Sequence, residues 1–186
     1  MYLGRNRKLN RLRDYDYSQN GYYFVTICTK NKQEFFGQVK NGEMILNDAG
    51  KIAEQCWLDI PVHFPDVELD EFIVMPNHVH GILIIKNDDD VTSVVNGVAG
   101  VGNKNFCSLP LLWQTKWAKS ISSVIRGFKI GVTKWFRQNH HREFSWQKSY
   151  HDVIIRDEIM LNTKRQYILE NPPRWWRDRN NLNKEL

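Results

Sequence analysis

Hydrophobic and polar positions change their period several times along the chain, and each change marks an element. Tyr22-Tyr23-Phe24-Val25-Thr26-Ile27-Cys28-Thr29 is aromatic and β-branched, follows Asn20-Gly21, and predicts a strand. Phe35 to Val39 and Met44 to Leu46 flank Asn41-Gly42, the signature of a small hairpin. With Asn47 or Asp48 as cap, Ile52, Cys56, Trp57 and Ile60 fall at helical spacing as far as Pro61, which predicts a helix of about three turns. Val67 to Val74 and Val79 to Lys86 are strand-like runs joined by Met75-Pro76-Asn77, an antiparallel hairpin. Residues 87–117, with Asp88-Asp89-Asp90, several glycines and no lasting period, predict a long loop.

The helical period returns from Lys119 to Gln138. Ile121, Val124, Ile125, Phe128, Val132, Trp135 and Phe136 cover one side, and Arg126, Lys129, Lys134 and Arg137 the other. Tyr150 to Arg156 reads as a last strand, and Asp157 to Glu170 as a last helix ending before Pro172-Pro173. The economical assembly is an α+β fold: a ferredoxin-like βαββαβ core, an antiparallel sheet with helices on one face, plus the extra hairpin and a C-terminal helix that bears a tyrosine. The expected organisation is a basic N-terminal segment over 1–20, a domain over 21–172, and a basic, Trp-containing tail over 173–186.

Composition narrows the classes. With 186 residues, 41% of them hydrophobic and 25% charged, the chain can bury one domain core, which excludes wholesale disorder, collagen, a coiled coil or a repeat array. The net charge of +5 is uneven: +4 over residues 1–14, −2 over 15–163 and +3 over 164–186. Basic ends interleaved with Tyr2, Trp175 and Trp176 suit a polyanion with stackable bases, although charged tails are also commonly just solvated. Cys28, Cys56 and Cys107 lie far apart with no C-x-x-C spacing and read as free thiols in a reducing cytoplasm. The longest aliphatic run, Ile82-Leu83-Ile84-Ile85, is too short to span a bilayer, so no membrane partner is expected.

Candidate chemistry begins at His78 and His80. Two apart in a strand, they project from the same face and form a two-point metal clamp, or else they sit together on a solvated sheet face. Tyr167 and Asn171, four apart on the last helix, share a face. Asn171 offers a carbonyl oxygen to a metal and Tyr167 a phenol that can attack phosphorus; the alternative is a Tyr packing the helix and an Asn capping it. Tyr150, in Ser149-Tyr150-His151-Asp152, is the rival nucleophile, but His151 points to the opposite face of its strand. The basic helix face is a candidate track for phosphates, and Arg174, Trp175 and Arg177 follow directly after the last helix.

Four stretches carry a resemblance: Pro76-Asn77-His78-Val79-His80, Arg126-Gly127-Phe128-Lys129, Trp146-Gln147, and Tyr167-Ile168-Leu169-Glu170-Asn171-Pro172. In this order, from about Tyr22 to Trp176, they resemble the REP-associated tyrosine transposases within the HUH single-tyrosine transposases. The resemblance implies a bacterial, cytoplasmic and nucleoid-associated nuclease that cuts and rejoins single-stranded DNA at hairpin-forming palindromic repeats. It further implies that His78 and His80 ligate a divalent metal, Mg2+ or Mn2+, and that Tyr167 is the nucleophile. Related transposases carry Gln where this chain has Asn171, which leaves the third ligand open. Arg126, Lys129, Lys134, Arg137, Arg174, Trp175 and Arg177 are the expected DNA contacts. A monomer and a homodimer are both compatible with the sequence, as are two other readings: a non-catalytic single-strand or hairpin binder, and a replication-initiator or relaxase-type nuclease.

Overall fold

The aromatic and β-branched run near the N-terminus forms β1 (Gly21–Cys28), which takes an inner position in the sheet. It pairs antiparallel with β5 (His78–Ile85) on one side and β6 (His151–Ile155) on the other. β4 (Val67–Met75) pairs with the free edge of β5, giving the order β4-β5-β1-β6. In a strand-helix-strand-strand-helix-strand chain, this order is the ferredoxin-like arrangement that the sequence predicts. The computed structural model describes residues 15–86 and 120–182. Most of the expected N-terminal segment, the long loop over 87–117 and the last four residues of the tail lie outside the described residues.

The extra hairpin forms a separate two-stranded sheet from β2 (Gly37–Lys40) and β3 (Glu43–Leu46). Its turn residues Asn41 and Gly42 both adopt positive φ, 52° and 79°, the conformation that favours Asn-Gly. Helix α1 (Asp48–Leu58) begins as expected, with the Asn47 side chain accepting from the Gly50 amide at 2.9 Å. It ends before Pro61, which instead occupies the first turn of a short helix, α2 (Ile60–His63), where a missing amide hydrogen costs nothing.

Helices α1 and α3 (Ile121–Gln138) cover one face of the sheet. Tyr23, Val25, Ile27, Val79, Leu83 and Ile85 meet Ala53, Trp57, Val124 and Phe128 there. Trp57 rests on Gly81 so closely that a Cβ at that position would lie 2.2 Å from Trp57 Cζ2. The last helix, α4 (Glu158–Leu169), occupies the other face, so the two core helices share a face and the tyrosine-bearing helix does not. Its Leu161 and Ile168 bury against Phe24, Ile82 and Ile155. With both faces covered, all eight residues of β5 are buried.

Two further findings bear on the sequence expectations. Cys28 is a free thiol, whereas Cys56 is disulfide-bonded, which corrects the reading of three free thiols. Among the described residues, no helix is long and apolar enough to cross a membrane.

Candidate metal and tyrosine centre

Strand alternation puts His78, His80 and Ile82 on the α4 side of β5. Opposite them on β1 stand Cys28 and Thr26, and on β4 Met75 and Ile73. The imidazoles are 0% and 1% exposed and their ring centroids 4.4 Å apart, so the alternative of a solvated sheet face does not hold.

Hydrogen bonds fix how each ring is presented. Asn77 donates from Nδ2 to the Lys32 and Asn180 carbonyls, both at 2.8 Å, which turns its Oδ1 toward His78 Nδ1 at 2.9 Å. An amide oxygen only accepts, so His78 carries its proton on Nδ1 and keeps the Nε2 lone pair. His80 Nδ1 lies 2.9 Å from Thr26 Oγ1, and Phe24 stacks on the His80 ring at 5.3 Å. Burial, followed by the charges of Arg179 and Lys32, pushes His78 down to about 3. Burial and then His78 hold His80 well below its usual value. Both rings are therefore neutral near pH 7, the form that ligates metals.

α4 brings Lys164, Tyr167 and Asn171 to this centre along one stripe of the helix and its C-terminal end. The Tyr167 hydroxyl lies 3.4 Å from His80 Nε2, with its ring edge-on to Phe24 and His80. Tyr167 is 40% exposed, leaving one side open to a substrate. Its phenol is pushed up, chiefly by burial and next by the charge of Asp178, while a hydrogen bond from Asn171 acts in the opposite direction. The Lys164 ammonium sits 4.7 Å from the centre of the Phe24 ring and 6.0 Å from that of Tyr167.

The chain after α4 then folds back over the histidines. A single 3-10 turn, Trp175–Arg177, sets the Trp175 ring 5.9 Å from the His78 ring. Asp178 follows, and its carboxylate and the nitrogens of His78 and His80 all lie within 4.8 Å of one another. Two more atoms mark the centre as suited to a cation: His78 Nε2 and Asn171 Oδ1 are buried without any hydrogen-bond partner. Buried polar atoms are nearly always paired, so both are positions at which a partner would be stabilising. Two imidazoles and a carboxylate make a mixed nitrogen and oxygen donor set that fits a divalent cation.

His78, His80, Tyr167 and Asn171 thus converge, and Trp175 reaches them. Asp178, Asn77 and Thr26 are the members that sequence reasoning missed. Asp178 stands alone between Arg177 and Arg179, in a stretch read for its cations, and only the return of the chain brings it to the histidines. Asp70 on β4 forms a bidentate pair with Arg165.

The remaining residues lie elsewhere. Arg126, Lys134 and Arg137 are exposed on α3, on the face of the sheet away from the histidines, and line a groove of about 610 Å³. Lys129 borders the same groove, but its Nζ donates to the Gln147 and Ser149 carbonyls at 2.9 and 3.3 Å, and burial pushes it down to about 8. Tyr150 packs against the core beneath α3, with its hydroxyl 3.4 Å from Ser122 Oγ. Arg174 pairs with Glu170 at 2.7 Å, and the Arg177 guanidinium lies 4.2 Å above the exposed Trp176 ring.

Comparison with known proteins adds four findings. No family model matches the chain. An uncharacterized protein of Haemophilus influenzae is 41% identical over 179 residues, covering 93% of this chain and 92% of the relative. A second protein of that organism, named as a candidate REP-associated tyrosine transposase, is 20% identical over 157 residues, covering 84% and 73%. Among solved structures, a REP-associated tyrosine transposase bound to a REP hairpin superposes with a TM-score of 0.53 at 18% identity, covering 88% of this chain and 73% of that one.

Proposed function

From the premise that this chain belongs to one family with the 41%-identical Haemophilus influenzae protein and has the fold of a REP-associated tyrosine transposase, we propose that it is a metal-dependent transesterase. It cuts and rejoins single-stranded DNA beside hairpin-forming palindromes. One observation carries the reading: the Tyr167 oxygen lies 3.4 Å from His80 Nε2, in a centre where His78 Nε2 and Asn171 Oδ1 await a partner.

His78, His80 and Asp178, with Asn171 as a further oxygen donor, would hold Mn2+ or Mg2+, which supplies positive charge against the anionic phosphate. The chain's own residues do the rest. Asn77 and Thr26 hold the imidazole rings in place, Phe24 and His80 pack around the phenol, and the exposed side of Tyr167 admits the strand. The Tyr167 oxygen attacks phosphorus in line, forming the P–O(Tyr) bond as the P–O3′ bond breaks. The phenol gives up its proton to solvent and the departing 3′ oxygen gains one, so the step is proton-neutral. The product is a 5′-phosphotyrosine with a free 3′-hydroxyl. Attack by a second DNA 3′-hydroxyl reverses the step and joins strands without ATP, because the ester energy is retained in the tyrosine link.

Arg174, Trp175 and Arg177 are the proposed DNA contacts beside the centre, with Trp176 exposed for base stacking. On α3, Lys129 donates to two carbonyls, and the exposed Arg126, Lys134 and Arg137 are the proposed phosphate contacts.

The test incubates wild-type protein, Tyr167→Phe and Tyr150→Phe with a labelled hairpin oligonucleotide and manganese, then resolves covalent adducts under denaturing conditions. Wild type and Tyr150→Phe should form the adduct and Tyr167→Phe should not. An adduct from Tyr167→Phe overturns the assignment.

A further inference from the structure

The seat of α4 on the sheet is narrow. Only Leu161 and Ile168 of its twelve residues are buried, while Ile159 and Leu169 are 81% and 58% exposed. Apolar contacts are non-directional, so Leu161, Ile168 and the half-buried Met160 do not by themselves fix how the helix slides or rolls. An attacking oxygen tolerates little of either, since a misplacement of about 1 Å can lower a rate by about 100-fold.

The missing constraint sits between Leu161 and Ile168. Arg165 donates from Nε to Asp70 Oδ1 at 2.8 Å and from Nη2 to Oδ2 at 2.5 Å. Such a planar fork fixes both position and rotation, as a single-point contact with lysine would not. The Asp70 carboxylate is itself held, accepting from the Glu71 amide at 2.7 Å, and its side chain is only 10% exposed. Arg165 also reaches Asn162 Oδ1 at 3.1 Å, along its own helix.

A bulge in β4 makes this pairing available. The register with β5 runs Val67↔Ile85, Glu68↔Ile84, Leu69↔Leu83 and then resumes at Phe72↔Gly81 and Ile73↔His80. With strict alternation, Asp70 and Phe72 would share a face. The extra residue separates them, so that Phe72 stacks on Trp57 at 5.9 Å on the α1 side while Asp70 meets Arg165 on the α4 side.

We propose that the Asp70–Arg165 pair is the positioning device that holds α4, and with it Tyr167, at the histidines. The proposal rests on the transesterase reading for its activity readout. It carries its own structural readout as well.

The experiment compares wild type with Asp70→Asn, Arg165→Lys and the double variant. Single-turnover adduct formation is measured at saturating hairpin DNA with manganese, DNA affinity is measured in a Tyr167→Phe background, and α4 amide exchange is followed on the free proteins. Each single variant should lower the adduct rate about 10- to 100-fold with DNA affinity changed less than about 2-fold, the pattern of lost positioning. Exchange in α4 should accelerate about 10-fold or more. The double variant should be no worse than the poorer single one, because the two residues act as a unit. Unchanged rates, additive losses, or slowed adduct formation with α4 exchange unaltered would each overturn the proposal. If wild type itself forms no adduct, the transesterase reading fails, and α4 exchange alone then decides whether the pair holds the helix.

Discussion

Replacing His78 by Gln should flatten the acid side of the stability curve. The imidazole is fully buried, and its value falls from 6.5 to about 3, first through burial and then through the charges of Arg179 and Lys32. Between those two values the unfolded chain binds a proton that the folded chain refuses, so stability must fall as pH falls through the window from about 6.5 to about 3. With those two values, His78 alone removes about 2 kcal/mol between pH 7.5 and pH 5, and about 4 kcal/mol by pH 3. His80, depressed by the same burial, adds a loss in the same direction. The assay is urea unfolding at constant ionic strength, with chelator present, for wild type and His78→Gln from pH 7.5 to pH 5. Surface carboxylates titrate alike in both proteins and cancel in the difference. The stability advantage of wild type over the variant should shrink by about 2 kcal/mol on acidification. Parallel curves would refute the reasoning. Excess manganese in place of chelator should raise wild-type stability at pH 7.5 more than at pH 5, where protons compete for the ligand nitrogens.

Two further outcomes follow from contacts already described. Asp178→Asn removes the anionic donor beside the histidines and should weaken manganese binding about 10- to 100-fold by calorimetric titration, with an unchanged affinity showing that Asp178 is no ligand. Gly81→Ala forces a Cβ into the space of Trp57, whose ring atom would lie 2.2 Å away, and should lower unfolding stability by about 1–3 kcal/mol in urea.

The legible parts of the sequence were those in which one residue pattern determines one local geometry. Asn41-Gly42 announced its turn, Asn47 its helix cap, and the apolar stripe from Ile121 to Phe136 its packing side. His78 and His80 were legible as a pair because strand alternation is strict, and Tyr167 with Asn171 because helical spacing is. The face taken by α4 was not legible, since its buried residues are only Leu161 and Ile168 and no broad apolar stripe announces a direction. The pairing of Asp70 with Arg165 was not legible, because a bulge breaks the very alternation on which a strand reading depends. Asp178 and Asn77 were missed for a different reason. Their roles arise where residues 175–181 cross the turn between β4 and β5, and no local pattern records a meeting between segments so distant in the chain.

That crossing also bears on the order of folding. The Asn77 amide that fixes the His78 tautomer is itself fixed by the carbonyl of Asn180, 103 residues further along. Contacts of such span close late, because loop-closure entropy must be overcome before they contribute anything. β4, β5 and their hairpin can therefore pair while His78 is still free to exchange tautomers and Asp178 is still remote. A refolding chain therefore regains the β4–β5 hairpin before it regains the crossing that furnishes the centre.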